Sequence, residues 1–311
     1  MIAGALVFVM MVFLIAYAWP AIRFNGIGIL TDPVWNIGNQ YGSGVEIHNG
    51  IAAQPGAEFG GAVFIFGTLA SAALAMVIAV PLSILVAIAL VYRVAPALQP
   101  LVNALVELMA GVPSVVYGLW GTVILVPWIG QRLGPWVAEH LGGIPGLRGD
   151  PGSGNGLLAA GIVLALMAMP FMVATVRDVL LAQDRALFEA SMALGSTSWQ
   201  AVTKVLLPSV RSGVFAAVLV ALGRALGETM AVLMVCGSAL NQFPQNVFQA
   251  VNTIAAVIVS QLDSALTDAS GMAQRSLAEL AVVLFIITVG VNGIARWILH
   301  GMSSPGTVRG A

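Results

Sequence analysis

The chain has 311 residues, 59% of them hydrophobic and only 8% charged, with a mean hydropathy of +0.98. Soluble domains carry roughly 25% charged residues, so this composition excludes an ordinary soluble fold and points to a polytopic membrane protein. A net charge of -1 argues against nucleic acid as a partner, and a single cysteine, Cys236, excludes an intrachain disulfide.

Ala3 to Trp19 is an apolar run that suits a first span. Ala16-Tyr17-Ala18 has the small-x-small form of a signal-peptide cleavage site, but no basic residue precedes the run; a retained span is expected, with the true start upstream. Trp19 and Trp35 suit an interfacial belt. Pro20 to Gly60, rich in Gly, Asn and Pro, reads as an external loop. Gly61 to Tyr92 is a second span in which Pro81 can place a kink, and Arg93 marks its cytoplasmic end. Pro96 to Met109 reads as a short, partly interfacial helix. A third span follows from Pro113 to about Ile129, with proline and Ser114 at its start. Such a start points partial positive charge outward; ordinary capping is the plain reading, and an anion the functional one. Gln131 to Asn155, broken by Gly-Pro and Pro-Gly steps, should be a second external loop, and Gly156 to about Val176 a fourth span ending at Arg177 and Asp178.

Polar helices come next. Asp184 to Leu194 has Leu187, Ser191 and Leu194 on one side and stops at Gly195, the usual residue for a left-handed helix end. Thr197 stands three residues before Gln200, the spacing of a capping box, and the helix it opens should run until Pro208 interrupts it. The two helices make an L-shaped projection. Ser209 to about Val235 is then a fifth span with Arg224 and Glu228 inside it. Arg224 lies about 20 Å along the axis from Arg211, where a charge facing lipid costs on the order of 3 kcal/mol, so it must face protein or water. Four residues apart, Arg224 and Glu228 share one helix face. The plain reading is a mutual ion pair locking two helices; the functional one is a planar fork of donors offered to a passing oxyanion.

Gly237 to Gln274 is ambiguous. Asn246 to Leu262 is apolar but interrupted by Gln249, Asn252 and Gln261, and reads as a broken external or re-entrant segment. Ser276 to Leu299 is the sixth span, with Glu279 one turn in and Arg296 near its end, and a short polar tail starts at His300. Six spans put both termini inside. Seven basic residues (Arg93, Arg177, Arg185, Lys204, Arg211, Arg296, Arg309) then lie on the cytoplasmic side and four (Arg23, Arg132, Arg148, Arg275) outside, the direction of the positive-inside rule.

The sequence has no G-x-x-x-x-G-K-[ST] phosphate loop, and its only lysine, Lys204, follows Thr203. ATP hydrolysis by that route is excluded, so a polar projection implies a separate motor. His48, His140 and His300 have no metal-ligand spacing, and no catalytic cluster appears.

Glu189-Ala190-Ser191, Gly195 and Leu207-Pro208 resemble the loop by which bacterial ABC importer permeases dock on their ATPase, although the family commonly has Ala at the Ser191 position. Gly223-Arg224-Ala225-Leu226-Gly227-Glu228-Thr229-Met230-Ala231-Val232 and Gly111-Val112-Pro113-Ser114-Val115-Val116-Tyr117-Gly118-Leu119-Trp120-Gly121 are similar to phosphate importer permeases, of the PstC type rather than the PstA type. The resemblance covers most of Phe59 to Ile298. It implies an all-α polytopic membrane protein with six transmembrane helices and the MetI-like type I importer fold. Residues 1–60 would hold the first span and external loop, 61–300 the permease core with a coupling loop at 181–210, and 301–311 a cytoplasmic tail. Glu189, Ala190, Gly195, Leu207 and Pro208 would serve ATPase coupling, and Arg224, Glu228 and Ser114 the substrate pathway. Implied partners are a homologous PstA-type permease, an ATPase dimer that holds ATP and Mg, an external phosphate-binding protein and membrane lipid. The chain itself would hold no cofactor or metal and would sit in the bacterial cytoplasmic membrane. Phosphate at neutral pH carries a proton it can donate to Glu228, whereas sulfate does not. Rival readings are a permease for sulfate or molybdate, a channel or proton-coupled transporter using Arg224 and Glu228 as a relay, and an integral membrane enzyme.

Overall fold

Long apolar runs with few charges become long helices in the computed structural model, which describes residues 2–39, 44, 46–95, 97–144 and 146–302. Among these, five helices are long and apolar enough to cross a membrane: Gly4–Asn25, Ala62–Tyr92, Ser114–His140, Leu157–Leu181 and Met272–Ile298. A sixth arises if Ser198–Ser209 and Arg211–Leu226, bent by 71° at Val210, count as one span. The polytopic helical fold expected from the sequence is therefore present. Residues 303–311, including Arg309, lie outside the described residues, as do Pro96 and Pro145.

Several boundaries differ from expectation, each for a physical reason. The first helix continues through Pro20 to Asn25, because Ala18, Ala21 and Phe24 recur on one buried face and packing holds the turn that proline weakens. The segment after it is not a bare loop. It forms a short helix, Gly28–Thr31, and two antiparallel ribbons, Trp35–Asn36 with Glu58–Phe59 and Glu46–His48 with Ile51–Ala53. Trp35 is only 3% exposed, its ring edge-on to Phe59 (5.2 Å) and Phe64 (5.8 Å); it is a core residue and not part of an interfacial belt, whereas Trp19 is exposed.

The third span does not stop near Ile129. Helical structure runs on to His140, so Gln131 to His140 is helix where a loop was expected. Pro127 and Pro135 each stand two positions after a five-residue π turn, Gly121–Leu125 and Ile129–Leu133, in which the N–H of Val126 reaches the carbonyl of Gly121 and that of Gly134 the carbonyl of Ile129. A wider turn moves the carbonyl four residues back away from the proline ring, relieving the clash that ends an ordinary α-helix. Pro208 follows the same pattern after the π turn Val202–Leu206, and so it does not end its helix; the break comes at Val210.

The fifth span is also interrupted. Arg211–Leu226, at 16 residues, is about 24 Å long, short of a hydrocarbon core of roughly 30 Å, and Gly227 to Thr229 separate it from a six-residue helix, Met230–Val235. In the ambiguous segment, Thr253 accepts the Ala256 N–H and opens a 13-residue helix, Ile254–Leu266, about 20 Å long. It is a partial helix and not a full span.

The chain divides into two compact units. The first comprises Met1–Leu74, Ser114–Leu164 and Leu226–Thr288. Its core gathers Phe24, Trp35, Phe59, Phe64, Ile254, Met272 and Leu280; buried Glu279 accepts from Asn25 Nδ2 at 2.6 Å, and the Ile254 N–H donates to Thr68 Oγ1 at 2.9 Å. The second comprises Ala75–Pro113, Ala165–Ala225 and Val289–Ala311, with a core of Ala87, Ile88, Val176, Leu180, Val202, Leu206, Val210 and Val214.

Candidate functional site

Local rules build the polar projection in the second unit. Asp184, in extended conformation, caps the helix Arg185–Ala193 by accepting the Ala186 N–H at 2.9 Å. At the other end Gly195 has φ +86°; its N–H meets the Met192 carbonyl at 3.0 Å and the Ser196 N–H meets the Ser191 carbonyl at 3.3 Å, the complete paired Schellman stop. Thr197 and Gln200 then form both halves of the expected capping box.

Ser191, where the resembling family commonly has Ala, is buried. The Ser196 hydroxyl donates to the Ser191 carbonyl and accepts from the Ser191 hydroxyl, with the two oxygens 2.6 Å apart, so serine at 191 braces the turn in a way alanine does not. Glu189, Ala190 and Pro208 are exposed and Leu207 half-buried. Leu194, expected on the same side as buried Ser191, is 90% exposed: it follows the last full turn, so helical spacing no longer sets its direction. Beneath the projection Leu206 joins the core, and Phe188 stacks on Tyr92 with ring centroids 5.6 Å apart and planes 22° from parallel. A cleft of about 370 Å³ beside that stack is lined by Tyr92, Gln99, Asp184, Arg185, Phe188 and Glu189 among others.

The expected pathway residues are distributed differently from their spacing. Ser114 begins the Ser114–Trp120 helix in the first unit and is half-buried. Glu228 belongs to the same unit: its Oε1 accepts the Ala231 N–H at 3.3 Å and caps Met230–Val235. These two helices pack closely. A Cβ added to Gly118 would lie 2.7 Å from Met234 Sδ and 3.0 Å from Ala231 Cα, and Thr122 Oγ1 donates to the Met234 carbonyl at 3.0 Å. Contacts that advance together from Gly118 and Ala231 to Gly121 and Val235 mean that the helices run parallel, so Ser114 and Glu228 stand at the same end. Arg224 lies in the second unit, exposed, on a helix that ends at Leu226. The shared helix face expected for Arg224 and Glu228 is thus absent, because Gly227 to Thr229 leave the helix between them.

Sequence reasoning passed over Asp184 as a cap, Ser196, the Tyr92–Phe188 stack and Thr122. Asp two residues before Ala186 at the head of an amphipathic run was a readable cap signal; the other three are contacts between residues whose pairing no local pattern announces. Among the described residues no group of His, Cys, Asp and Glu could hold a metal ion.

Comparison with known proteins places the chain. The family described as "binding-protein-dependent transport system inner membrane component" matches residues 79–304. Phosphate transport system permease protein PstC 1 of Mycobacterium tuberculosis is 44% identical over 289 residues, 92% of this chain and 85% of that protein. The PstC protein of Mesorhizobium japonicum is 35% identical over 92% and 82% of the two chains, and a probable PstC of Methanocaldococcus jannaschii 31% over 94% and 91%. Among solved structures, a bacterial alginate ABC transporter in complex with its periplasmic protein aligns with a TM-score of 0.53 and 16% identity over 78% of this chain and 81% of that one. The inward-facing MetNI methionine ABC transporter aligns with a TM-score of 0.50 and 22% identity over 76% and 91%. At those identities the two structures speak for the fold alone. The chain belongs to the family of binding-protein-dependent transport system inner membrane components, and within it to the PstC-type permeases.

Proposed function

We propose that this chain is the transmembrane permease subunit of an ATP-driven importer of inorganic phosphate. The reading rests on 44% identity, over nearly the whole chain, to a protein named as a phosphate transport system permease. The projection from Asp184 to Ser209 is the part that engages the motor. Its two helices are each closed by a side-chain cap from within this chain, and Glu189 and Ala190 stand exposed at its surface. With no phosphate loop of its own, the chain leaves ATP and Mg to a dimeric ATPase. A PstA-type permease completes the membrane part, and an external phosphate-binding protein delivers substrate. The bias of basic residues supports termini and projection on the cytoplasmic side.

Arg224 supplies a guanidinium, whose planar donors suit a tetrahedral oxyanion. Glu228, with one oxygen engaged by the Ala231 N–H, offers its other oxygen to the proton of hydrogen phosphate. Ser114, at the same end of its helix, adds a hydroxyl. The test is labelled phosphate uptake in cells expressing the whole complex, wild type against Arg224→Gln, with excess unlabelled sulfate. Uptake is expected to fall about tenfold or more with the complex still assembled, and sulfate is expected not to compete. Normal uptake in the variant would remove Arg224 from the path, and competition by sulfate would remove the selectivity for phosphate.

A further inference from the structure

The projection is covalently continuous with two membrane helices, Leu157–Leu181 before it and Arg211–Leu226 after it. The second of these connections contains the 71° bend at Val210, a point at which a push on the projection can be absorbed as rotation. A third helix, Ala62–Tyr92, does not adjoin the projection along the chain, yet its last residue, Tyr92, is stacked on Phe188. Phe188 immediately precedes Glu189, the residue assigned to contact with the ATPase.

We infer that Tyr92 and Phe188 form a brace that makes the Ala62–Tyr92 helix move with the projection, so that the stroke of the ATPase reaches a third span directly. The inference rests on the coupling role proposed above. Both rings also pack against the core of Ala87, Ile88, Val176, Leu180, Val202 and Leu206, which holds them from several sides. The helix end they grip is itself fixed: Gln99 Nε2 donates to the carbonyls of Leu90 and Val94, both at 3.3 Å, and so ties down groups that would otherwise fray. Parallel rings slide over one another at little cost but resist separation, because separation exposes both apolar faces to water. A joint of that kind carries a pull along the ring normal and accommodates small rotations within the ring plane. Tyr92 and Phe188 are positioning residues; they act through the helix and touch no substrate.

The experiment uses the complete transporter in proteoliposomes, with phosphate uptake and ATP hydrolysis measured on the same sample. Phe188→Leu keeps apolar bulk but loses the flat face, and Tyr92→Phe keeps the face but loses the hydroxyl. Phe188→Leu is expected to leave the ATPase bound and hydrolysing while phosphate moved per ATP falls roughly threefold or more. Tyr92→Phe is expected to keep the wild-type ratio. An unchanged ratio in Phe188→Leu overturns the brace, as does an equal loss in Tyr92→Phe, since a merely packed tyrosine could depend on its hydroxyl. Glu189→Arg separates this from the underlying reading: if it leaves ATPase association and uptake unchanged, the coupling role of the projection fails. If it uncouples while Phe188→Leu does not, only the brace fails.

Discussion

Replacing Gly195 by alanine isolates the effect of backbone handedness on the projection. Gly195 has φ +86°, and a Cβ added there would meet no heavy atom within 4 Å, so the substitution causes no clash. What remains is the intrinsic cost of a left-handed L-residue, roughly 1–2 kcal/mol. If the turn relaxes, the Gly195 and Ser196 N–H bonds to Met192 and Ser191 are lost and Thr197 is no longer set to cap the next helix. A penalty of that size changes the ratio of docking-competent to relaxed turn by about 5- to 30-fold. The purified permease complex is therefore expected to bind its ATPase with a Kd raised by up to that factor, measured by titration in detergent or nanodiscs. Gly195→Asn is expected to lie much closer to wild type, because asparagine tolerates this region of backbone space. Equal weakening by Ala and Asn, or none by Ala, would refute the conformational reasoning.

Gly118→Ala is expected to lower the melting temperature of the assembled complex, with a cost of about 1–3 kcal/mol, because its Cβ would fall 2.7 Å from Met234 Sδ and 3.0 Å from the Ala231 backbone. Gly293→Ala, inside the Met272–Met302 helix with nothing within 4 Å, is the matching control and should melt at or slightly above wild type, since alanine favours a helix interior. Asp184→Ala removes the acceptor for the Ala186 N–H and is expected to cost about 1 kcal/mol of helix stability, read as faster amide exchange over residues 185 to 193 alone. Asp268, outside the spans, is pushed upward by burial, but hydrogen bonds from the Ala273 N–H, the Ser270 hydroxyl and N–H, and Gln54 outweigh this and hold it below its ordinary 3.8. A depressed folded value stabilises above the unfolded one and loses that stabilisation as pH falls through the folded value. The melting deficit of Asp268→Asn should accordingly be full at pH 6 and shrink below about pH 4; a deficit constant with pH would show that its charge plays no part.

Whatever depends on chain neighbours was legible in the residues. The length and apolarity of the runs predicted the spans, Thr197 with Gln200 predicted a capping box that is present atom for atom, and Gly195 predicted a left-handed stop. The loop motif and the Gly223 to Val232 stretch pointed to a family that the comparisons bear out.

The sequence by itself determined composition, the order of the apolar runs and the Gly195 and Thr197 helix ends, because these follow from hydrophobic transfer and from hydrogen bonds between residues a few positions apart. Only the tertiary structure decided where helices continue or break. Pro127, Pro135 and Pro208 look like stops, yet π turns accommodate them. The apolar run from Ser209 to Val235 looks continuous, yet it parts at Gly227 to Thr229, where Glu228 caps a short helix that packs closely at Gly118, more than a hundred residues away. Trp35 suits an interface and lies in a core because Phe59 and Phe64 meet it from other elements. At Gly118 and at Trp35 close packing between distant residues outweighs a local preference of about 1 to 3 kcal/mol, and no window of neighbouring residues contains that contact.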